Sequence, residues 1–361
     1  MIGAINGGGI YTSWDRGASW TVSSAPVTNW ASVACSRDGT RLVAAAGGEQ
    51  GPGVVGPIYV STNAGAGWKL TTAPFSSWNS VASSADGSVL VACQYEPAPL
   101  AFGLIYTSTN YGDTWQPGDS EYCWFSAAAS ADGNTLAVVG TVNVYQHGNF
   151  GEICISTNRG ATWTNFNSSA EAWTCIASSA DGNQFVTGNF QPGTISIFTN
   201  TSFNWNDTPA PTQNWSSVAS SADGSKLLAA ANGFLPSPAG PIYTSPDYGR
   251  TWISNNAPVT NWSGVASSAD GNTLVAGVNG GGIYTWQTIS TPVLSSRVSA
   301  SDLLLCWTVP SMNFVVEQSP DLTSGKWVTV PVTPSLNYTN LQYQVSIPRP
   351  QGTMFYRLAS Q

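Results

Sequence analysis

The chain has 361 residues, of which only 8% are charged, and its formal net charge is −8. This length is sufficient for two domains, and the scarcity of charged side chains favours short strands and turns over long solvent-exposed helices. With 11 Lys and Arg against 19 Asp and Glu, the chain has no basic stripe that could bind nucleic-acid phosphates or an anionic membrane surface. No apolar run reaches the roughly 18 residues of a transmembrane helix, so membrane insertion is not expected.

The first residues of the chain contain neither a basic segment nor an apolar core, so no signal peptide is visible. The charge-poor, Ser-, Thr- and Asn-rich composition is nevertheless typical of exported bacterial β repeats. We therefore expect a secreted or cell-surface protein of bacterial type.

Two motifs recur along the chain in fixed alternation. The first reads Trp-x-x-Val-Ala-Ser-Ser-Ala-Asp-Gly, and its copies begin 42 to 49 residues apart at Trp30, Trp78, Trp124, Trp173, Trp215 and Trp262. The second reads Ile-Tyr-x-Ser-x-Asp/Asn-x-Gly-x-Thr-Trp, and its copies end at Trp20, Trp68, Trp115, Trp163, Trp205 and Trp252. A repeat of this length is the sequence signature of a propeller or solenoid.

Each repeat is divided into four predicted strands, A to D. Strand A is the Trp-x-x-Val-Ala-Ser segment, and Ala-Asp-Gly forms the A–B turn. Strand B is an apolar run such as residues 42–45, and strand C is a segment such as residues 57–60. The Ser-Thr-Asn-x-Gly turn leads into strand D, which is expected to carry the closing Trp. Four short antiparallel strands with this period predict an all-β fold of propeller blades.

The second motif resembles the Asp-box, or sialidase-type BNR repeat, Ser-x-Asp-x-Gly-x-Thr-Trp. Residues 13–20 and 245–252 match it with Asp15 and Asp247, and residues 108–115 and 156–163 match it with Asn in place of Asp. The copy at residues 61–68 is weaker, and the fifth copy keeps only Asn200 and Trp205. The resemblance implies a propeller fold found in sialidases, xyloglucan hydrolases, sortilin-like receptors and a photosystem assembly factor, so it implies no single function.

The number of blades depends on the two ends of the repeat region. Strands B and C occur seven times, whereas strands A and D occur six times, because the first copy lacks A and the last lacks D. Seven blades with incomplete termini is the preferred prediction. The alternative is a six-bladed ring in which the N-terminal strands complete the last blade.

The Asp-box pattern stops after Pro292, which places a propeller at residues 1–287 and a second domain at residues 288–361. Alternating apolar residues predict short strands in the second domain at 303–307, 314–318, 327–330, 343–347 and 354–358. Five or six strands in this length resemble a fibronectin-III-like or Ig-like β-sandwich.

The six cysteines follow neither a zinc nor a redox spacing, so no metal or cofactor motif is present. We expect buried free thiols, with a bridge involving Cys123, Cys154 or Cys175 left open. A channel Ca²⁺ held by Glu and Asn oxygens is also compatible with the sequence.

Antiparallel strands place the A–B and C–D turns at one end of each blade and the B–C and D–A loops at the other. The turns are short and nearly invariant among the repeats, whereas the loops differ, and function usually concentrates in variable loops. Every Glu before residue 288 falls in these loops: Glu49, Glu96 and Glu152 in B–C loops, and Glu121 and Glu171 in D–A loops. The same loops carry Tyr95, Phe102, Tyr145, His147, Phe150, Phe190 and Phe234.

Carboxylates with aromatic rings are suited to sugar recognition, because carboxylates accept hydrogen bonds from hydroxyls and rings stack on pyranose faces. The sequence therefore predicts binding of a glycan or another extracellular polymer by the loop face. The alternatives are a glycoside hydrolase, or another hydrolase, that uses paired carboxylates from Glu96, Glu121, Glu152 and Glu171, and a protein-interaction scaffold. The remaining alternative assigns no binding role to these residues, because long loops generally contain polar residues and fold their aromatic side chains inward.

A sialidase is excluded, because the resemblance implies an arginine triad and a Tyr–Glu pair that this chain does not supply. Its propeller arginines all fall in A–B or C–D turns: Arg16, Arg37, Arg41, Arg159 and Arg250. The repeated Trp residues of strand A are expected to pack between blades. If their edges were exposed, they would instead form an aromatic collar suited to carbohydrate. Oligomeric state does not follow from the sequence.

Overall fold

A computed structural model describes residues 1–47, 54–95, 103–118, 122–141, 151–167, 173–189, 193–199, 204–232, 239–287, 294–299, 301–308, 314–323, 325–337 and 342–360. The chain divides into two compact units, Met1–Trp286 and Gln287–Gln361, and the boundary predicted from the sequence lies one residue later. The described residues form strands and turns without a helix. Nothing in this described part therefore offers a helix with the length and apolar character needed to cross a membrane.

The described part of unit 1 consists of seven open sheets that follow one another along the chain. Sheet 1 contains β1 (Ile2–Ala4), β3 (Ile10–Thr12) and β4 (Thr21–Val22); sheet 2 contains β2 (Asn6–Gly8), β5 (Thr28–Cys35), β6 (Leu42–Ala46), β7 (Ile58–Ser61) and β8 (Lys69–Leu70). Sheet 3 contains β9 (Trp78–Ser83), β10 (Leu90–Gln94), β11 (Ile105–Ser108) and β12 (Gln116–Pro117); sheet 4 contains β13 (Cys123–Ala129), β14 (Leu136–Thr141), β15 (Gly151–Ser156) and β16 (Thr164–Asn167). Sheet 5 contains β17 (Trp173–Ser178), β18 (Gln184–Asn189), β19 (Ile195–Thr199) and β20 (Asn204–Asp207); sheet 6 contains β21 (Asn214–Ser220), β22 (Leu227–Asn232), β23 (Ile242–Ser245) and β24 (Ile253–Ser254). Sheet 7 contains β25 (Trp262–Ser267), β26 (Thr273–Val278) and β27 (Ile283–Gln287).

The strands predicted from the repeat are confirmed, with one correction at strand D. Sheets 3 to 6 are four-stranded antiparallel meanders in the order A-B-C-D. In most repeats strand D begins directly after the closing Trp, as in β8 after Trp68 and β24 after Trp252, so the Trp belongs to the end of the C–D turn. Only β20 includes its Trp, Trp205, among the described strands D.

The two end sheets are three-stranded, as the repeat count predicts. Sheet 1 contains strands B, C and D (β1, β3 and β4), and sheet 7 contains strands A, B and C (β25, β26 and β27). The N-terminal strands form a sheet of their own and are not hydrogen-bonded to β27 in the described structure. A short additional strand, β2, was not predicted and pairs with the start of β5.

The core of unit 1 lies between consecutive sheets. In each interface the strand-A Trp of one sheet packs with the strand-C Ile of the preceding sheet. The pairs are Ile10 with Trp30, Ile58 with Trp78, Ile105 with Trp124, Ile153 with Trp173, Ile195 with Trp215, and Ile242 with Trp262. These Trp side chains are at most 3% exposed, and each buries a large apolar area. The aromatic collar considered from the sequence is therefore not formed, since the indole rings serve the interfaces between sheets.

Hydrogen bonds also join consecutive sheets at their A strands. The Ser32 hydroxyl of sheet 2 accepts from the Val81 amide of sheet 3 at 3.1 Å, and Ser80 accepts from the Ala127 amide in the same way. The A–B turns are linked by backbone bonds that start at the Arg37 amide and pass through the peptide groups of Ala85, Ala131, Ala180, Ala222 and Ala269. These contacts place the A strands of consecutive sheets side by side and link each A–B turn to the next.

Unit 2 contains two open antiparallel sheets among the described residues. The first has the order β28-β29-β33-β32, and the second has the order β31-β30-β34. Their bounds are β28 (Ser295–Val298), β29 (Asp302–Thr308), β30 (Phe314–Ser319), β31 (Val328–Thr329), β32 (Ser335–Asn337), β33 (Gln342–Pro348) and β34 (Phe355–Ser360). The five predicted strands are present, and β28 and β32 are additional. Trp307, Val316 and Val345 belong to the core of this unit.

All six cysteines are free thiols in the structure. Cys93, Cys154 and Cys175 are buried in strands, and burial raises the pKa of each of these thiols to about 12. Thiols with such a high pKa are poor nucleophiles at neutral pH. This agrees with the expectation of buried, inert cysteines, and the bridges left open from the sequence are not formed.

Candidate functional site

Each A–B turn contains an aspartate whose carboxylate accepts hydrogen bonds from other groups of the same turn. In sheet 2, the Ser36 hydroxyl donates to Asp38 Oδ1 at 2.6 Å, the Thr40 amide donates to the same oxygen, and Ser36 Oγ accepts from the Arg41 amide. The serine hydrogen bond, followed by the amide hydrogen bond, holds the pKa of Asp38 at about 2. The pKa is lowered, with the serine bond as the first cause, at every equivalent aspartate: Asp38, Asp86, Asp132, Asp181, Asp223 and Asp270.

The C–D turns contain the same type of hydrogen bonds between a serine, an Asp or Asn side chain and the turn backbone. Ser13 donates to Asp15 Oδ1, the Gly17 amide donates to Ser13 Oγ at 2.7 Å, and the Ser19 amide donates to Asp15 Oδ1 at 2.9 Å. The glycine has the positive φ that the motif predicts. The residue before it also has a positive φ, which was not predicted, at Arg16, Ala64, Tyr111, Arg159 and Tyr248. The Asp carboxylates and Asn side-chain amides form hydrogen bonds within their own turns. They therefore stabilise the turns and do not form a ligand-binding site.

The arginines before residue 288 lie on this turn face, as the sequence predicts. Arg41 stacks on the Tyr111 ring, with the guanidinium carbon 3.9 Å from the ring centroid, and Arg159 Nε donates to Asn134 Oδ1. In both contacts the arginine side chain binds a neighbouring turn. Within the described residues, no group of three or more His, Cys, Asp or Glu side chains is arranged to hold a metal ion.

The repeat pattern assigns the predicted site residues to the opposite, loop face, and most of them lie outside the described residues. These are Glu49, Glu96, Phe102, Glu121, Tyr145, His147, Phe150, Glu171, Phe190 and Phe234. For them the sequence prediction stays a prediction. Two of the predicted residues, Tyr95 and Glu152, are described.

Tyr95 directly follows β10 at the loop face. Its amide donates to the Ser77 carbonyl at 2.9 Å, which fixes its position beside the start of strand A in its own sheet. Its ring contacts the ring of Phe125, which belongs to strand A of the next sheet, with centroids 5.4 Å apart and an interplanar angle of 43°. Both side chains are partly exposed. The structure thus brings together two rings from consecutive sheets.

Glu152 lies in strand β15, and not in the B–C loop where the sequence analysis placed it. It pairs with Gly140 on β14 and with Asn167 on β16, and it is 3% exposed. Burial raises the pKa of its carboxyl. Since residues 142–150 connect β14 to β15, Glu152 stands at the base of the segment that carries Tyr145, His147 and Phe150. It is a buried carboxyl adjacent to a loop and not an exposed loop carboxylate.

Sequence reasoning missed two features of the loop face. The strand-A motif predicts only a strand position for Phe125. The residue directly after the strand-A Trp is nevertheless polar or small in the other repeats: Ala31, Asn79, Thr174, Ser216 and Ser263. The D–A loops also present exposed apolar side chains after a repeated Ala-Pro step, at Val27, Phe75 and Val259. The Ala-Pro step is visible in the sequence and could have identified them.

No family model matches the chain, and no curated protein matches it. Several solved structures are similar to it in fold. The GH74 xyloglucanase from Xanthomonas campestris superposes with a TM-score of 0.58 at 15% identity over 84% of this chain, which spans 55% of the xyloglucanase chain. YCF48 bound to a D1 peptide superposes with a TM-score of 0.55 at 14% identity over 78% of this chain and 86% of YCF48. The β-propeller domain of Cps50 (Swd1) from Myceliophteria thermophila superposes with a TM-score of 0.56 at 14% identity over 79% of this chain and 95% of that domain.

The chain contains a β-propeller. Identities of 13 to 17% establish the fold alone. Similar propellers include glycoside hydrolases and proteins that bind protein partners, so the function of this propeller has to be argued from its own loop face.

Proposed function

We propose that this chain is a secreted β-propeller that binds a glycan or another extracellular polymer through the face formed by its B–C and D–A loops. The observation that carries the proposal is the Tyr95–Phe125 pair, two partly exposed rings contributed by consecutive sheets. Rings at the end of a rigid strand lose little conformational entropy on binding, and their faces suit the apolar faces of pyranoses.

The division of polar groups between the two faces supports this choice. On the turn face, the Ser and Asp side chains of each A–B turn already bind one another and the turn backbone. The other Glu residues before residue 288 lie outside the described residues, and the repeat pattern predicts Glu49, Glu96, Glu121 and Glu171 in loops of the opposite face. A xyloglucanase among the similar structures is consistent with carbohydrate as the ligand class.

The test is a polysaccharide array probed with the full chain and with Tyr95→Leu, Phe125→Leu and Tyr248→Leu. Tyr248 is exposed on the turn face and serves as the matched control. We expect Tyr95→Leu and Phe125→Leu each to weaken binding about tenfold or more, as for an aromatic hot spot, and Tyr248→Leu to have no effect. Absence of binding to every polysaccharide, or equal weakening by Tyr248→Leu, would refute the proposal. Repeating the array with EDTA tests whether a channel Ca²⁺ takes part.

The alternative of a glycoside hydrolase is favoured by Glu152. A buried carboxyl with a raised pKa is suited to act as a general acid, and hydrolysis would require a second carboxylate from Glu96, Glu121 or Glu171. Turnover of a chromogenic glycoside panel that is abolished by Glu152→Gln, with polysaccharide binding retained, would favour the enzyme over the binding module.

The alternative of a protein-interaction scaffold is favoured by Val27, Phe75 and Val259, which are exposed on D–A loops of the same face. Exposed apolar side chains in a series are a feature of protein interfaces. A protein ligand whose binding is lost in Phe75→Asp and retained in Tyr95→Leu would favour the scaffold.

The same proposal includes the finer architecture. The C–D turns are Asp-box turns, and the seven sheets of unit 1 are the seven blades of the propeller. Unit 2 is a fibronectin-III-like or Ig-like module. Its first sheet has the order A-B-E-D, and β31-β30-β34 has the order C′-C-F. Limited proteolysis that releases residues 294–360 as a folded fragment would support the domain division.

A further inference from the structure

The residues at which strand A begins and strand B ends lie opposite each other at the loop face, and we call each such couple a rim pair. In sheet 3 the rim pair is Ser77 and Tyr95, joined by the hydrogen bond from the Tyr95 amide to the Ser77 carbonyl. The same backbone hydrogen bond joins two further rim pairs: Asn29 with Gly47 in sheet 2, and Asn261 with Asn279 in sheet 7. The position of Tyr95 in sheet 3 is therefore occupied by Asn279 in sheet 7.

The segment that follows β1 adds another asparagine to this rim. The Ile5 amide donates to the Gly9 carbonyl in the same way as the Val278 amide donates to the Gly282 carbonyl. Asn6 thus has the position after Ile5 that Asn279 has after Val278. Asn6 also lies opposite Asn29 of sheet 2. The rim asparagines are Asn6, Asn29, Asn261 and Asn279.

The side chains of the rim asparagines are not used by the fold. In the part of the chain that the structure describes, none of these four side-chain amides forms a hydrogen bond. Three of the side chains are exposed, and that of Asn261 is half-buried. On the turn face, by contrast, the amides of Asn110 and Asn158 donate to threonine hydroxyls of their own turns, each at 2.8 Å. The rim asparagines are therefore free to hydrogen-bond to a ligand.

The loop face has no fixed positive charge. In the sequence, the segments between strands B and C and between strands D and A contain no Lys or Arg. The cationic side chains before residue 288 lie in or next to the A–B and C–D turns: Arg16, Arg37, Arg41, Lys69, Arg159, Lys226 and Arg250. The loop segments contain Glu49, Glu96, Glu121 and Glu171 instead. A polymer with carboxylate or sulfate groups would therefore be repelled from this face.

The chemistry of the amide group favours hydroxyls over charged groups. An asparagine side chain both donates and accepts hydrogen bonds, and a sugar hydroxyl does the same. An ammonium group only donates, and a carboxylate only accepts. A row of uncharged amides therefore matches an uncharged polymer rich in hydroxyls better than it matches a polyamine or a polyanion.

We propose that the polymer bound by the loop face is an uncharged polysaccharide. Its sugar rings stack on Tyr95 and Phe125, and hydroxyls of other units of the same polymer hydrogen-bond to the rim asparagines. This inference rests on the proposed function and specifies the ligand class within it.

The experiment compares uncharged, carboxylated, sulfated and amine-bearing polysaccharides on one array probed with the full chain. The polymer that binds most strongly is then prepared as hydroxyethyl and carboxymethyl derivatives, which are similar in size and differ in charge. We expect binding of uncharged polymers only, with little dependence on salt because no ion pair is formed. The hydroxyethyl derivative should bind, and the carboxymethyl derivative should bind about tenfold or more weakly.

Alanine variants test the rim asparagines directly. We expect Asn29→Ala and Asn279→Ala each to weaken binding about three- to tenfold, which corresponds to the loss of one neutral hydrogen bond. Asn183→Ala is the matched control, because Asn183 is equally exposed but lies in an A–B turn on the opposite face. It should bind as the native chain does.

A change of specificity provides a second test. The double variant Asn29→Lys with Asn279→Lys places two positive charges on the rim. It should gain binding to the carboxymethyl derivative, and added salt should weaken that binding. A purely structural role of the two asparagines would not produce such a gain.

The outcomes separate this inference from the proposed function. Preferred binding of anionic or amine-bearing polymers, or equal binding of the two derivatives, would overturn the inference and leave polysaccharide binding established. The same holds if Asn29→Ala and Asn279→Ala bind like Asn183→Ala while Tyr95→Leu weakens binding. Absence of binding to every polysaccharide would refute the proposed function and this inference together.

Discussion

Gly17 of sheet 1 lies against Thr285 of sheet 7: a Cβ built on Gly17 would be 2.5 Å from Thr285 Cγ2. The C–D turn glycines of four later sheets approach strand C of the preceding sheet in the same way: Gly65 approaches Thr12, Gly112 approaches Val60, Gly160 approaches Thr107, and Gly249 approaches Ile197. Sheet 1 therefore lies against sheet 7 through the same type of contact that joins sheets 2, 3, 4 and 6 to the sheets before them.

This contact predicts an unequal effect of two glycine substitutions. Gly17 and Gly280 have φ values of +89° and +69°, so Ala at either position incurs a strain of about 1–2 kcal/mol. A Cβ on Gly280 meets nothing within 4 Å. We expect Gly17→Ala to lower the free energy of unfolding more than Gly280→Ala does, as measured by urea denaturation. The excess should shrink in a Thr285→Ser background, which lacks Cγ2. Equal losses would show that sheets 1 and 7 do not press together in solution.

The A–B turn predicts a strong effect of a small substitution at Ser84. This buried hydroxyl donates to Asp86 and accepts from the buried Val89 amide. Ser84→Ala leaves that amide unsatisfied, and we expect a loss of about 1–3 kcal/mol in the free energy of unfolding. Ser88→Ala is the control, because its backbone amide still binds Asp86. A loss in Ser88→Ala as large as in Ser84→Ala would contradict this account of the turn.

The aspartates of the turns predict acid sensitivity. Their pKa values in the folded chain lie below the ordinary 3.8, with Asp15, Asp38 and Asp223 at about 2. The unfolded chain therefore takes up protons first as the pH falls, and stabilisation present above about pH 4 is lost progressively toward pH 2. Thermal unfolding followed by circular dichroism from pH 6 to pH 2 should show a falling melting temperature in this window. A constant melting temperature over this range would show that the turn hydrogen bonds do not stabilise the ionised aspartates of the folded chain.

Glu152 predicts the opposite dependence on pH. Its pKa is raised by burial above the ordinary 4.5, so the folded chain holds the proton more tightly than the unfolded chain. Its contribution to stability therefore falls as the pH rises through the raised pKa. Glu152→Gln should be more stable than the native chain at pH 7, and the difference should vanish near pH 4. A Gln variant that is less stable at pH 7 would mean that the ionised carboxylate makes a stabilising contact.

Several features of the fold could be predicted from the sequence because they repeat. The spacing of Trp30, Trp78 and the later strand-A tryptophans gives the sheets, and the Ser-Ala-Asp-Gly and Asp-box turns give the connections. Six copies of one pattern determine local structure, since the hydrogen bonds that they encode lie within a few residues. The three-stranded end sheets follow the same count, because the strand-A motif first occurs at Trp30 and the closing Trp of the C–D turn last occurs at Trp252.

The tertiary structure determines which side chains of one sheet pack against the neighbouring sheets. No sequence pattern placed Glu152 inside β15, because the burial of its side chain depends on the sheets around it. Nor did the sequence join Tyr95 to Phe125, which are 30 residues apart and contributed by different sheets. The exposure of Ile283 is likewise a tertiary property. Ile10 and Ile283 occur in the same seven-residue segment, Asn-Gly-Gly-Gly-Ile-Tyr-Thr, yet Ile10 is buried and Ile283 is exposed. Local hydrogen bonding is encoded in neighbouring residues, whereas burial is set by residues distant in the chain. This is why the turns and strands were predictable, whereas the burial of Glu152 and the contact of Tyr95 with Phe125 were not.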